Sequence, residues 1–334
     1  MSTNGSQPLL EVEELCARYP VGRGIVGAMS RAPKLEVHAV DGVSFSVARG
    51  EMLALVGESG CGKTSTAQSV LRMIETSGGS IRFDGQEITG LSAKQLRPLR
   101  RRMQIVYQDP YESLDPRFRV GATIEEPLEV HGIGSKEERR AEVLGALELA
   151  GLTPPELYID RYPHELSGGQ RQRVAIAASL VLHPELLVAD EPVSMLDVSV
   201  RAGILAILDG LRDDGLAVLM ITHDLSTAAH YADRIAVMYL GRIVEEGPTR
   251  EVIENPQHPY TRALLSVVPK RDPRERSTPQ ILRGETPNSI HIPPWCRFQP
   301  RCPMAIAQCK TVDPELRRPA ASRDPAHRAA CIRV

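Results

Sequence analysis

The chain has 334 residues, of which 42% are hydrophobic and 25% charged; this is an ordinary globular composition with room for one large domain plus attachments. Its 40 Lys and Arg against 42 Asp and Glu leave a formal charge of -2, so no global basic field argues for nucleic acid. No stretch approaches the ~20 apolar residues of a membrane helix, and the start of the chain lacks the basic and apolar segments of a signal peptide. The chain is therefore expected in the cytoplasm, with any membrane role coming through partner subunits.

Leu9 to Tyr19 and Val37 to Val47 alternate in the manner of strands in a small sheet, with a Gly- and basic-rich insertion from Val21 to Lys34 between them. Glu51 to Val56 is a short apolar strand, and Lys63 to Ile74 reads as the helix after it. Ser80 to Phe83 with the turn Asp84-Gly85 forms a hairpin, and Ser92 to Arg102 a strongly basic helix. The region from Val120 to Leu180 is mostly helical, with helices over Gly121 to His131, Lys136 to Ala150 and Gly169 to Leu182. Leu186 to Asp190 and Ala217 to Thr222 are buried-type strands. Arg234 to Tyr239 and Arg242 to Glu246 pair around Gly241. After about Asn255 Pro becomes frequent and periodicity fades, so a boundary is placed there, with 256–334 as a small tail.

Gly57-Glu58-Ser59-Gly60-Cys61-Gly62-Lys63-Thr64 fits G-x-x-x-x-G-K-[ST], a loop whose backbone N–H groups wrap phosphates. Lys63 is expected on the β- and γ-phosphates of a nucleotide and Thr64 on Mg²⁺, with Ser65 in the same contact set. A chance Gly-rich turn is the bland alternative; the strand before it and the helix after it argue against that. Asp190-Glu191 ends an apolar strand, which suits Asp190 to hold the metal and Glu191 to act as general base on water. Ser167-Gly168-Gly169-Gln170 opens a helix and reads as a second anion-binding start, with a plain N-cap followed by a loop as the bland alternative. One chain cannot use both loops on one nucleotide if they lie on opposite faces, whereas a head-to-tail dimer can.

Taken together these motifs resemble the ATP-binding subunits of ABC transporters, and more narrowly the peptide and nickel importer branch. The resemblance implies a P-loop ATPase of α/β class. It has a RecA-like core, an antiparallel β subdomain, a helical subdomain at about 110–180 within an ATPase domain of 1–255, and a Cys-containing extension over 256–334. It assigns Gln108 to the Q-loop, which senses Mg²⁺ and touches a membrane subunit, and Asp197 to the D-loop, here with Met195 where Ala is usual. It makes His223 the switch residue on the γ-phosphate and Tyr19 the aromatic that stacks on adenine. Alone, Tyr19 would read as a packed or surface aromatic and His223 as a solvated one. The branch features are Tyr107 to Pro116, His258 to Leu265, and Arg297 to Cys309.

As partners the resemblance implies a sibling ATPase subunit, with a heterodimer favoured by the Tyr19-Pro20-Val21 start and a homodimer as the alternative. It further implies two membrane permeases and an extracytoplasmic binding protein, placing the chain peripherally on the cytoplasmic face of the membrane. Peptides are the expected cargo, with nickel and oligosaccharides as alternatives. A soluble ABC ATPase of translation or DNA repair usually carries two cassettes or a coiled coil, and this chain has one cassette and no heptad run. The Ser167 loop and His223 argue against a phosphate-loop kinase. The basic run from Arg97 to Arg102 reads as a solvated helix face and not as a nucleic-acid site.

Six cysteines are present, and four of them, Cys296, Cys302, Cys309 and Cys331, lie in the last 39 residues. Four thiolates suit an iron–sulfur cluster or tetrahedral zinc, and the spacing leaves the metal open; free cysteines are the alternative. Some members of the resembled branch hold a [4Fe-4S] cluster on this tail, which favours iron over zinc.

Overall fold

The computed structural model describes residues 7–21, 35–268, 280, 282, 284 and 287–334; the insertion read at 21–34 lies almost wholly outside them. In chain order the elements are β1 (Leu10–Pro20), β2 (Glu36–Val47), β3 (Met52–Val56), α1 (Lys63–Val70), β4 (Gly78–Phe83), β5 (Gln86–Glu87), α2 (Ala93–Arg102), β6 (Met103–Val106) and α3 (Pro110–Ser113). They continue with α4 (Val120–His131), α5 (Lys136–Leu149), α6 (Glu156–Ile159), α7 (Gly168–Leu180), β7 (Leu186–Asp190), α8 (Val198–Asp213), β8 (Ala217–Thr222) and α9 (Leu225–Tyr231). The last are β9 (Arg234–Tyr239), β10 (Arg242–Pro248), α10 (Thr249–Glu254), α11 (Pro259–Ser266) and β11 (Arg328–Ala329).

The chain divides into two compact units. In the first, which holds 47–52 and 90–221, β6, β7 and β8 run parallel. Val106 lies opposite Ala189, and Asp190 opposite Ile221, so the carboxyl ends of the strands are level. Every residue of β7 and β8 is buried, which is why both read as unbroken apolar runs. Helices α4, α5 and α7 pack on one another and bury Ile124, Leu128, Leu147 and Val174 among them. Arg102 and Arg49 both pair with Glu185, which removes one member of the basic run from solvent duty.

The second unit holds 10–46, 53–89 and 222–334. Here β3 runs parallel to β9, β9 antiparallel to β10, and β10 antiparallel to β11. A separate four-stranded sheet has the order β2-β1-β4-β5, so the first two predicted strands do share a small sheet with the hairpin.

Several expectations shift. Helix α1 stops at Val70 instead of Ile74, because Arg72 takes a left-handed conformation at φ 51° that no helix can continue. Helix α7 closes at Leu180, before left-handed His183. The fading periodicity after Asn255 predicts little regular structure, yet α11 forms behind His258, whose ring nitrogen accepts the Tyr260 N–H at 3.1 Å with Pro259 in the first helical position. The tail also adds β11 to the edge of β10, with Ala329 opposite Glu245.

Candidate nucleotide site

The phosphate loop lies in the second unit, between β3 and α1. Its glycines have separate causes. At Gly62 φ is +108° and a Cβ would lie 2.0 Å from the Ala39 carbonyl; at Gly57 it would lie 2.3 Å from that of Met238. Only Gly fits either position. No side chain caps α1 at Gly62. The Lys63 amine is buried and donates to the carbonyls of Gly57 at 2.8 Å and Glu58 at 3.1 Å. Ser59, Gly60 and Thr64 are exposed, Ser65 is half-buried, and Cys61 is buried with its thiol pushed up by that burial. Tyr19 and His223 belong to the same unit and are both exposed. Asp224 then caps α9 by accepting the Ser226 N–H at 2.8 Å, which explains the acid after His223.

The first unit carries the remaining candidates. Asp190 is buried at the carboxyl end of β7, and Glu191 follows in a left-handed conformation at φ 46°. This costly geometry is fixed by its N–H on the Ile221 carbonyl at 2.9 Å and by its own carbonyl, which accepts from the Ser194 hydroxyl at 3.1 Å. Exposed Gln108 leaves the neighbouring strand β6, and the carboxyl ends of parallel strands are where ligands bind in such sheets. Burial, followed by the charge of Asp190, raises the pKa of the adjoining Tyr107.

Ser167 is exposed and caps α7 by a capping box: its hydroxyl accepts the Gln170 N–H at 3.3 Å, and the Gln170 side chain accepts the Ser167 N–H at 2.9 Å. Gly169 has a packing reason, since a Cβ there would lie 2.3 Å from a Val200 methyl, while Gly168 has open room. The same helix grips the Gln108 region. Gln172 donates to the Tyr107 carbonyl at 3.3 Å, and the Arg171 guanidinium sits 4.2 Å over the Tyr111 ring. Asp197 is the exposed N-cap residue of α8, flanked by exposed Met195 and Val198. Sequence reasoning missed both α8 and the Gln172 and Arg171 links.

In the second unit all four tail cysteines line one small cavity with His258, Phe298 and Met304. Burial, reinforced by neighbouring Cys309 and Cys302, pushes the Cys296 thiol up to about 11, and burial raises Cys302 likewise. Among the described residues no three His, Cys, Asp or Glu side chains converge on a position for a single metal ion. That arrangement does not fit tetrahedral zinc.

A glycine loop between an apolar strand and a helix, together with an acid-ended strand, defines a phosphate-loop nucleotide-binding protein. The family model described as "ABC transporter" matches residues 40–194, and that described as "Oligopeptide/dipeptide transporter, C-terminal region" matches 244–309. A protein of Brucella ovis carrying the name peptide import ATP-binding protein is 47% identical over 327 residues, 98% of each chain. The glutathione import ATP-binding protein GsiA of Salmonella paratyphi A is 49% identical over 287 residues, which are 85% of this chain and 45% of that one. The post-hydrolysis dimer of the ATP-binding cassette MJ0796 with ADP and Pi superposes with TM-score 0.63 at 28% identity, covering 72% of this chain and 99% of that one. The structure of cbiO1 from Clostridium perfringens gives 0.63 at 31%, covering 75% and 92%. The chain belongs to the ABC transporter family, as an ATP-hydrolysing subunit. No described helix is long and apolar enough to cross a membrane.

Proposed function

We propose that this chain powers a membrane importer of peptides, lying peripherally on the cytoplasmic face against two permeases fed by an extracytoplasmic binding protein. The observation that carries the cargo class is the match of residues 244–309 to the C-terminal region of oligopeptide and dipeptide transporters. The relatives named for peptide and glutathione import agree with it. The ATPase portion is 1–255, with its helical part at about 110–180, and 256–334 is the transporter-type extension.

In this reading Tyr19 stacks on adenine while the amides of 57–65 and the Lys63 amine bind the phosphates. Thr64, Gln108 and Asp190 are the residues that hold Mg²⁺, whose chemistry there is neutralisation of phosphate charge. Glu191 takes the proton of the attacking water, and His223 meets the γ-phosphate. Ser167 to Gln170 and Asp197 of a sibling subunit complete each site, so the working form is a dimer, a heterodimer by preference. What supports this is the exposure of Ser167, Met195 and Val198, polar and apolar groups that a closing partner would cover.

Cys296, Cys302, Cys309 and Cys331 are the candidate ligands of a [4Fe-4S] cluster, supported by their shared cavity. Such a group would cross-link the tail, and because Cys296 is protonated at neutral pH its loading would release protons. Iron and sulfide analysis of protein purified without oxygen tests this; zinc without iron, or four freely titrating thiols, would overturn it.

The decisive test of the catalytic assignment is Glu191→Gln in the assembled complex. Turnover should fall by ~10²–10⁴ with ATP binding intact, because the base is lost and the phosphate cradle kept. ATPase activity near wild type would remove Glu191 from this role.

A further inference from the structure

Glu58, the second residue of the phosphate loop, is held at its amide, its side chain and its carbonyl. Its N–H donates to the hydroxyl of Tyr260 at 3.0 Å. Its carboxylate is chelated by the Arg301 guanidinium, with contacts of 2.8 and 3.1 Å. Its carbonyl accepts from the Lys63 amine at 3.1 Å and from the Cys61 N–H at 3.3 Å. Both supports come from the C-terminal segment, far along the chain from the loop.

These supports are rigid. Tyr260 is fully buried on α11 and packs its ring against Tyr239 and Phe298, with centroids 4.8 and 5.5 Å away. Arg301 is 8% exposed and lies 5.9 Å from the centre of the Tyr239 ring. Its neighbour three residues earlier, Phe298, is also buried. A two-pronged guanidinium–carboxylate pair whose guanidinium is buried is strongly directional.

The geometry points to Arg301 and Tyr260 as positioning residues for ATP binding, acting through Glu58 on the phosphate loop. This rests on the proposed role of Lys63 as the phosphate ligand. Two physical effects follow from the contacts. First, the carbonyls of Gly57 and Glu58 set where the Lys63 amine waits, and Arg301 and Tyr260 set where Glu58 sits. Second, Glu58 places a carboxylate in a loop that must receive a polyanion. Arg301 cancels that charge locally, and without it the carboxylate opposes the phosphates.

The test is ATP binding by the full-length chain, read with a fluorescent ATP analogue and Mg²⁺, alongside KM and kcat in the assembled complex. Arg301→Met should weaken ATP binding by about tenfold and raise KM in step, with kcat at saturating ATP held within about twofold. Adding Glu58→Gln should bring binding back to within about threefold of wild type, because the unpaired charge is gone. A merely structural role for Arg301 would give no such rescue. Tyr260→Phe, which keeps the ring and loses only the hydroxyl that accepts the Glu58 N–H, should weaken binding by roughly threefold, and it serves if Arg301→Met does not fold. Wild-type affinity in Arg301→Met, or in Tyr260→Phe should that variant stand in, would overturn the inference, as would a double variant no better than Arg301→Met. Lys63→Ala separates this from the underlying reading: if Lys63→Ala binds ATP normally, the assignment of the loop itself has failed.

Discussion

The phosphate loop and the Ser167 loop are both glycine-bearing helix starts, yet they are finished in opposite ways. At Gly62 no side chain caps α1. At Ser167 the chain supplies its own cap, and the hydroxyl and the Gln170 side chain already satisfy two backbone N–H groups. The sequence makes the two look alike, both as anion-binding starts. The structure distinguishes a helix start without a side-chain cap from a self-capped, exposed one. On the proposed function, the first loop decides whether the subunit binds nucleotide, and the second decides what a dimer does with it.

The largest effects should come from changing the charge of each loop. Lys63→Ala should weaken ATP binding by the single subunit and stop transport by the complex. Ser167→Arg should leave that binding intact and stop turnover of the dimer. Loss of monomer binding in Ser167→Arg, measured by equilibrium titration, would mean that the two loops are not separate in function.

Glycine substitutions should sharpen the contrast at smaller scale. Gly62→Ala meets the Ala39 carbonyl at 2.0 Å in a left-handed backbone, and should cost about 3–5 kcal/mol in denaturant unfolding. Gly168→Ala, whose nearest neighbour would be a Leu196 methyl at 3.8 Å, should change stability by less than ~0.5 kcal/mol. Equal destabilisation by the two would show that the loops are equally constrained.

Acid should also separate them. Burial lowers His258 to about 4, and its neutral ring caps the helix that carries Tyr260 to the phosphate loop. The unfolded chain binds a proton near pH 6.5 and the folded one near 4, so His258 leaves stability undiminished above about pH 6.5 and lowers it as pH falls from there towards 4. The loss is on the order of 2–3 kcal/mol. His258→Gln should flatten that slope in thermal melts across the same window. The Ser167 cap has no titrating member and should show no such dependence.

Much of this architecture is legible in the sequence where the pattern is local. Met52 to Val56 and Leu186 to Asp190 are apolar runs that can only be buried strands, and the loop motif follows the first of them directly. The strand Met103–Val106 was missed because it is short and follows the basic helix without a break. Helix α8 was missed because its start, Val198-Ser199-Val200-Arg201, alternates as a strand does before Ile204, Leu205 and Leu208 turn inward. The left-handed Glu191 leaves no trace in composition, since its strain is fixed by Ile221 on another strand. Nor could the Glu58 supports be read, because nothing near residue 58 calls for a Tyr and an Arg more than two hundred positions later.

That separation also imposes an order on the making of the protein. Tyr260 and Arg301 follow Glu58 by 202 and 243 residues. At roughly 5–20 residues per second, translation needs on the order of 10–50 s to reach Arg301 after Glu58. Throughout that interval the emerging chain carries the glycine loop without its buttress. The loop around Glu58 is thus completed only after 243 further residues have been made, long after its own residues have left the ribosome.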